Sequence, residues 1–169
     1  MIKLADIERA RQALQGVVHF TALEHSQTFS DLSHNDIYLK LENLQKTGSF
    51  KVRGAYNKIL SLGERERKKG VIAASAGNHA QGVAFASARA NLESTIVMPE
   101  GAPLAKIQAT QNYGAHIVLH GETFDEAMNY ALHLQKDTGA TFVHAFDDEQ
   151  IIAGQGTVGL EVLQQLPEV

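Results

Sequence analysis

The sequence predicts an α/β protein: a parallel, twisted sheet with helices on both faces. Three observations predict it. From Gly70 onward, short apolar runs alternate with longer segments whose apolar residues fall at helical spacing. Glycine or proline marks most of the junctions. Hydrophobic residues make up 44% of the 169, enough for a core in one domain or two small lobes.

The elements follow in order. Ile7 to Leu14 reads as a short helix stopped by Gly16, and Ile37 to Leu41 alternates apolar and polar as a half-buried strand does. The loop Leu44-Gln45-Lys46-Thr47-Gly48-Ser49 ends in a serine suited to an N-cap. Val52, Ala55, Tyr56, Ile59 and Leu60 then continue at helical spacing until Gly63. The charged stretch Glu64 to Lys69 is expected to be a solvated turn or helix. Val71 to Ala74, Thr95 to Met98, His116 to Leu119 and Thr141 to Phe146 are predicted strands. Between them lie an alanine-rich helix (His79 to Ala90), a helix behind Pro103 with Leu104, Ile107 and Gln111, and one opened by Thr123 and Glu126 at capping-box spacing. Ile151 to Leu166 reads as a glycine-interrupted helix ended by Pro167. Strand and helix alternating at this spacing mean βαβ units with parallel strands. No repeat, low-complexity segment or flexible linker interrupts them.

Composition excludes several classes of function. The net charge of −4 offers no basic footprint for nucleic acid. No apolar run approaches the ~20 residues that span a bilayer. The charged, amphipathic start has no apolar segment behind it, so no secretory signal is expected, and the cytoplasm is the default compartment. Without cysteine there are no disulfides, thiolate nucleophiles or cysteine-based metal sites. The eight histidines are scattered; His116 and His120 lie four apart on a strand, which is not chelating spacing, and no metal site is expected.

Two places suit chemistry. Ligands of open parallel sheets bind beyond the carboxyl ends of the strands. There the loop Ser75-Ala76-Gly77-Asn78-His79 opens a helix, whose free N–H groups and dipole suit a carboxylate or phosphate. Ser75 and Asn78 add side-chain hydrogen bonds, and Gly77 permits close approach. The competing reading is an ordinary turn with a capping asparagine. Lys51 lies in the first turn of its helix, against the dipole, which disfavours its charge and suits an amine that must react in its neutral form. The competing reading is a solvent-facing lysine.

At these residues the chain resembles a family. Lys40-Leu41-Glu42-Asn43-Leu44-Gln45 leading to Gly48-Ser49-Phe50-Lys51-Val52-Arg53-Gly54-Ala55 is similar to the segment that holds the cofactor-bearing lysine of threonine and serine dehydratases. Ala74-Ser75-Ala76-Gly77-Asn78-His79-Ala80-Gln81-Gly82-Val83-Ala84 resembles their substrate and cofactor loop. Val97-Met98-Pro99, Gly114-Ala115, Val118-Leu119-His120-Gly121 and Ile152-Ala153-Gly154-Gln155-Gly156-Thr157 match further stretches in order, so the resemblance runs from about Thr21 onward. Ala22 and Ala145 stand where the family commonly has proline. The larger departure is length: members run to about twice this or more. A glycine-rich loop for the cofactor phosphate and a partner for its pyridine nitrogen are expected after Pro167, so residues 1–169 alone are expected to be inactive.

The resemblance implies the tryptophan-synthase-β-like fold of enzymes that use pyridoxal 5'-phosphate (PLP). Residues 1–63 would open a large domain, 70–147 would form a small mobile α/β domain, and 148–169 would begin the return to the large one. Lys51 would carry the cofactor and act as general base, Phe50 would pack by its ring, and Asn78 would contact the ring hydroxyl. Ser75, Ala76, Gly77, Asn78 and His79 would hold the substrate carboxylate. The implied activity is β-elimination on L-threonine or L-serine, giving a 2-oxo acid and ammonia in amino-acid metabolism, by a homo-oligomer. Serine racemase and hydroxyaspartate dehydratase are alternatives. The family's racemases place a serine before the loop glycine as a second acid/base, and this chain has Ala76 there. Cysteine-synthase-type enzymes match less well around Lys51 and His79. From another class, the chain could be a non-catalytic module binding a small molecule or partner.

Overall fold

The structure is a computed structural model that describes all of residues 1–169. Its centre is a four-stranded parallel sheet of β3 (Val71–Ala74), β4 (Ser94–Met98), β5 (His116–Leu119) and β6 (Thr141–Phe142), in the order β5-β4-β3-β6. The chain steps from β3 to its neighbour β4 and on to β5 through one helix each, and a third helix then carries it across the sheet to β6 on the far side of β3. Those helices are α5 (Asn78–Arg89), α6 (Leu104–Gln111) and α7 (Phe124–Thr138).

Both faces of the two central strands, β3 and β4, are buried, so they read as apolar runs, whereas the edge strands β5 and β6 are partly exposed. Val71 and Ala73 of β3 and Ile96 and Met98 of β4 join Ala80, Val83 and Ala84 of α5 and Ile107 of α6 in one core. Ile72, Ala74 and Val97 point the other way, onto Ala127 and Ala131 of α7. Alanines along α5 and α7 bring helix and sheet backbones close, which is why those helices are alanine-rich at their buried positions.

The remaining elements come from the two ends of the chain. They are α1 (Leu4–Ala13), β1 (Leu23–His25), α2 (Gln27–Ser33), β2 (Tyr38–Lys40), α3 (Lys51–Leu60), α4 (Glu64–Arg67) and α8 (Glu149–Gln165). The predicted strand at Ile37 to Leu41 is β2, but it belongs to a separate antiparallel pair with β1 rather than to the parallel sheet. Helix α3 packs against both α5 and α8, and α1 covers α8. No helix is long and apolar enough to cross a membrane.

Close packing around α3 depends on three glycines. A methyl group at Gly154 of α8 would lie 2.6 Å from the Arg53 carbonyl oxygen, and one at Gly54 would lie 2.7 Å from the Ile151 carbonyl oxygen. On the opposite side, a methyl at Gly82 of α5 would sit 3.1 Å from the carbonyl carbon of Lys51 and the nitrogen of Val52. The first turn of α3 is therefore held between two helix backbones.

Candidate active site

Lys51 is the first residue of α3, half-buried, with its amine beside the Phe50 ring at 5.4 Å from the centroid. Its Nζ donates a 2.7 Å hydrogen bond to the Ala145 carbonyl, beyond the end of β6. Burial lowers its pKa below the ordinary lysine value, and no acidic group opposes the shift. A lysine held by a neutral carbonyl rather than a carboxylate gives up its proton more readily, and this one is not snorkelling into solvent.

The loop before it is folded tightly. Gln45 is buried; its side-chain oxygen accepts from His19 N and Lys46 N, and its side-chain nitrogen donates to His19 O. Thr47 (φ 63°) and Gly48 (φ 70°) are both left-handed, an uncommon conformation for a β-branched residue. Ser49 does reach the helix start, its hydroxyl accepting from Lys51 N at 3.4 Å. The N-cap position itself, however, is Phe50, one residue later than the sequence suggested.

Arg53 has no solvent exposure and ties this loop to α8. It donates to Glu42, Glu161, Thr157 and the His19 carbonyl, with salt bridges of 2.7 Å to Glu42 and 2.6 Å to Glu161. Lys40 adds a 2.6 Å salt bridge to Glu161. Burial works against the Arg53 charge, but the two carboxylates outweigh it and raise its pKa further.

The loop from Ser75 to His79 leaves the carboxyl end of β3 as expected. Ser75 Oγ accepts from Gly77 N at 3.1 Å. Gly77, not Asn78, is the N-cap of α5, and no side chain caps the helix, so the capping-asparagine reading does not hold. The first backbone bond of α5 runs from Gln81 N to Gly77 O, which leaves the N–H groups of Asn78, His79 and Ala80 without backbone acceptors. A side chain at Gly77 would meet nothing within 4 Å, so the turn that opens α5 is not packed against a neighbour at this point.

His79 is buried, its Nε2 bonded to the Val143 carbonyl at 2.9 Å and its Nδ1 without a partner. Its ring is thus turned inward, and its main-chain N–H has no backbone acceptor. Burial, helped by the nearby Lys51 charge and opposed by the Val143 bond, pushes its pKa down to about 4. An unfolded histidine takes up its proton near pH 6.5, so the unfolded state binds more protons between pH 6.5 and 4. Stability is therefore full above that window and falls through it, by about 3 kcal/mol for this group. His79→Gln is expected to flatten that part of the unfolding free energy against pH; an unchanged slope would show that His79 is not the group involved.

The structure brings Lys51 and the α5 N-terminus together. His79 and Lys51 bond to carbonyls two residues apart, at Val143 and Ala145, and Gly82, one turn into α5, lies against the Lys51 backbone. Sequence reasoning missed both carbonyls and the Arg53 network. A backbone acceptor leaves no trace in residue type, and Lys40, Glu42, Arg53 and Glu161 share no periodicity.

Fold and site together define an α/β protein with a half-buried lysine amine near an uncapped helix N-terminus at the carboxyl end of a parallel sheet. Residues 14–169 match the model of the pyridoxal-phosphate dependent enzyme family, and the chain belongs to that family. It is 59% identical to an L-threonine ammonia-lyase of Thermotoga maritima over all 169 residues, which cover 42% of that relative. It is 44% identical to a catabolic L-threonine dehydratase of Escherichia coli, with 99% of the chain aligned to 51% of the relative. The solved structure of maize serine racemase superposes with a TM-score of 0.94 at 34% identity, over 99% of this chain and 51% of that one. The chain thus spans about half the length of the curated relatives it matches.

Proposed function

We propose that the complete enzyme, with PLP as cofactor, eliminates the β-hydroxyl of L-threonine or L-serine as water, and that water then hydrolyses the released enamine to the 2-oxo acid and ammonia. The observation that carries this is the half-buried Lys51 amine, held by a carbonyl beside the free N–H groups of α5. The residues present fit the cofactor: a lysine with a lowered pKa, an aromatic ring beside it, and main-chain N–H donors without backbone acceptors at the start of α5. Bound PLP supplies an electron sink for the pair left when the α-proton departs. Lys51 would hold the cofactor, with Phe50 packing by its ring and Asn78 at its ring hydroxyl. Lys51 then takes the α-proton as general base. The substrate carboxylate lies on the Ser75 to His79 loop, met by main-chain N–H groups and the α5 dipole. The β-hydroxyl leaves from the same substrate.

This reading includes the rest of what the resemblance implies: residues 1–63 and 148–169 in one domain, 70–147 in a second that moves, and a cytoplasmic homo-oligomer. Names of relatives at 44–59% identity favour elimination over racemisation. So does Ala76, which has no proton to deliver to the second face of the α-carbon. The test is a paired assay of the full-length protein with L-threonine and L-serine, following 2-oxo acid and D-amino acid together. Elimination is expected to dominate, and Ala76→Ser is expected to raise D-isomer formation about tenfold or more. Racemisation as the main reaction of the unaltered enzyme would refute the proposal.

A further inference from the structure

Residues Val143 to Asp147 join β6 to α8, and three contacts fix their path. The Val143 carbonyl accepts from His79 Nε2, and the Ala145 carbonyl accepts from Lys51 Nζ. Between them His144 folds back on its own chain: its Nδ1 accepts from the main-chain N–H of Phe146 at 3.2 Å and of Asp147 at 2.8 Å. Its ring lies edge-on to Phe146, with centroids 4.7 Å apart, and tilted to Phe142 at 6.3 Å. We infer that His144 is a positioning residue for Lys51: by gathering the next two N–H groups it turns the chain sharply and aims the Ala145 carbonyl at the amine.

The inference rests on the reading of Lys51 given above. An acceptor that gathers the N–H groups two and three residues ahead is what an asparagine supplies in an Asx turn. Here an imidazole does the same with a lone pair, so Nδ1 is unprotonated and the ring proton sits on Nε2. The turn matters because of what it presents. A neutral carbonyl accepts from the Lys51 amine whether or not the amine carries a proton, whereas a carboxylate in its place would hold the amine charged. The amine therefore keeps one location before and after it takes a proton. Without the turn, Phe146 and Asp147 release their N–H groups, the carbonyl loses its aim, and the amine loses its resting place. The cost falls on the proton-transfer step and not on substrate capture, since no atom of His144 belongs to the Ser75 to His79 loop.

The test uses the full-length protein loaded with PLP. His144→Leu is expected to lower kcat about 10- to 100-fold while KM and cofactor absorbance stay within about twofold, because misplacement by an ångström costs that much. His144→Asn, whose Oδ1 can take the same two N–H groups, is expected to restore kcat to within about threefold. Unchanged kcat in His144→Leu, or an asparagine variant as slow as the leucine one, would overturn the inference. If the leucine variant does not fold, the ¹⁵N shifts of the His144 ring in the unaltered protein decide: a proton on Nε2 supports the turn, and a proton on Nδ1 refutes it. Lys51→Ala run alongside separates the two ideas. Turnover surviving there overturns the reading of the lysine, whereas an inactive Lys51→Ala beside an unaffected His144→Leu overturns the positioning alone.

Discussion

Lys51→Ala in the full-length protein is expected to abolish release of 2-oxo acid and to remove the cofactor's absorbance. Two losses add together. The amine is the attachment point for PLP, and it is also the base that takes the α-proton, a role that alone is worth about 10²–10⁴-fold in rate. The fold should be nearly indifferent, because the side chain makes one hydrogen bond, to Ala145, and is only half-buried. A change in unfolding free energy within about 1.5 kcal/mol is expected. Lys51→Arg should be as inactive as the alanine variant: it keeps the charge but never yields the neutral nucleophile. Absorbance titration with PLP, a 2-oxo acid assay and urea unfolding on the same three proteins settle it. Ordinary turnover in either variant would sink the assignment, and collapse of the fold would show that the lysine is structural.

The parallel sheet was legible because its strands and helices carry different periods. Val71 to Ala74 and His116 to Leu119 coincide with β3 and β5, and α6 begins at Leu104 as Pro103 indicates. The strand predicted from Thr141 to Phe146 is the instructive difference. Pairing with β3 ends at Phe142, although Val143 N still bonds to Ile72 O, because the backbone beyond is claimed by side chains. His79 takes the Val143 carbonyl, Lys51 takes the Ala145 carbonyl, and His144 takes the N–H groups of Phe146 and Asp147. Apolar residues there look like strand while tertiary contacts divert the chain. Leu23 to His25 and the helix from Gln27 to Ser33 were missed for a simpler reason. Three residues of strand and two turns of helix show no period, and only the Ser26 hydroxyl at Phe29 N marks the helix start. The positions of Lys51 and of the Ser75 to His79 loop at helix starts were legible from the serine and glycine signals before them. The groups that hold them were not, being main-chain atoms or residues far apart in sequence.

Arg53→Leu is expected to destabilise the protein by about 3–5 kcal/mol at neutral pH, the cost of breaking a buried ion pair by removing one partner. Leucine fills much of the same space, so the loss is electrostatic. Glu42 and Glu161 would remain in a site almost closed to water, Glu161 still paired with Lys40 and Glu42 without a cation. The expected pH dependence has a definite sign. In the unaltered protein, burial pushes the Glu42 pKa up, but the bonds from Arg53 and Thr21 outweigh it and hold the carboxyl below its usual range. The stability it contributes is therefore present above the ordinary carboxylate pKa and lost as the pH falls through the lowered folded value. Without Arg53, burial dominates and protonation relieves the defect, so the gap between the two proteins should narrow as the pH falls from 7 toward 4. Adding Glu42→Gln and Glu161→Gln to Arg53→Leu removes the stranded charges and should recover a large part of the loss at neutral pH. Lys40 then keeps the Thr21 carbonyl and the Gln165 side chain as acceptors. Urea unfolding of the three proteins at several pH values gives the result. A single-variant loss below about 1 kcal/mol, or a gap that stays constant with pH, would mean that the charges do not hold the Lys51 helix to α8 and that apolar packing at Gly54 and Gly154 does.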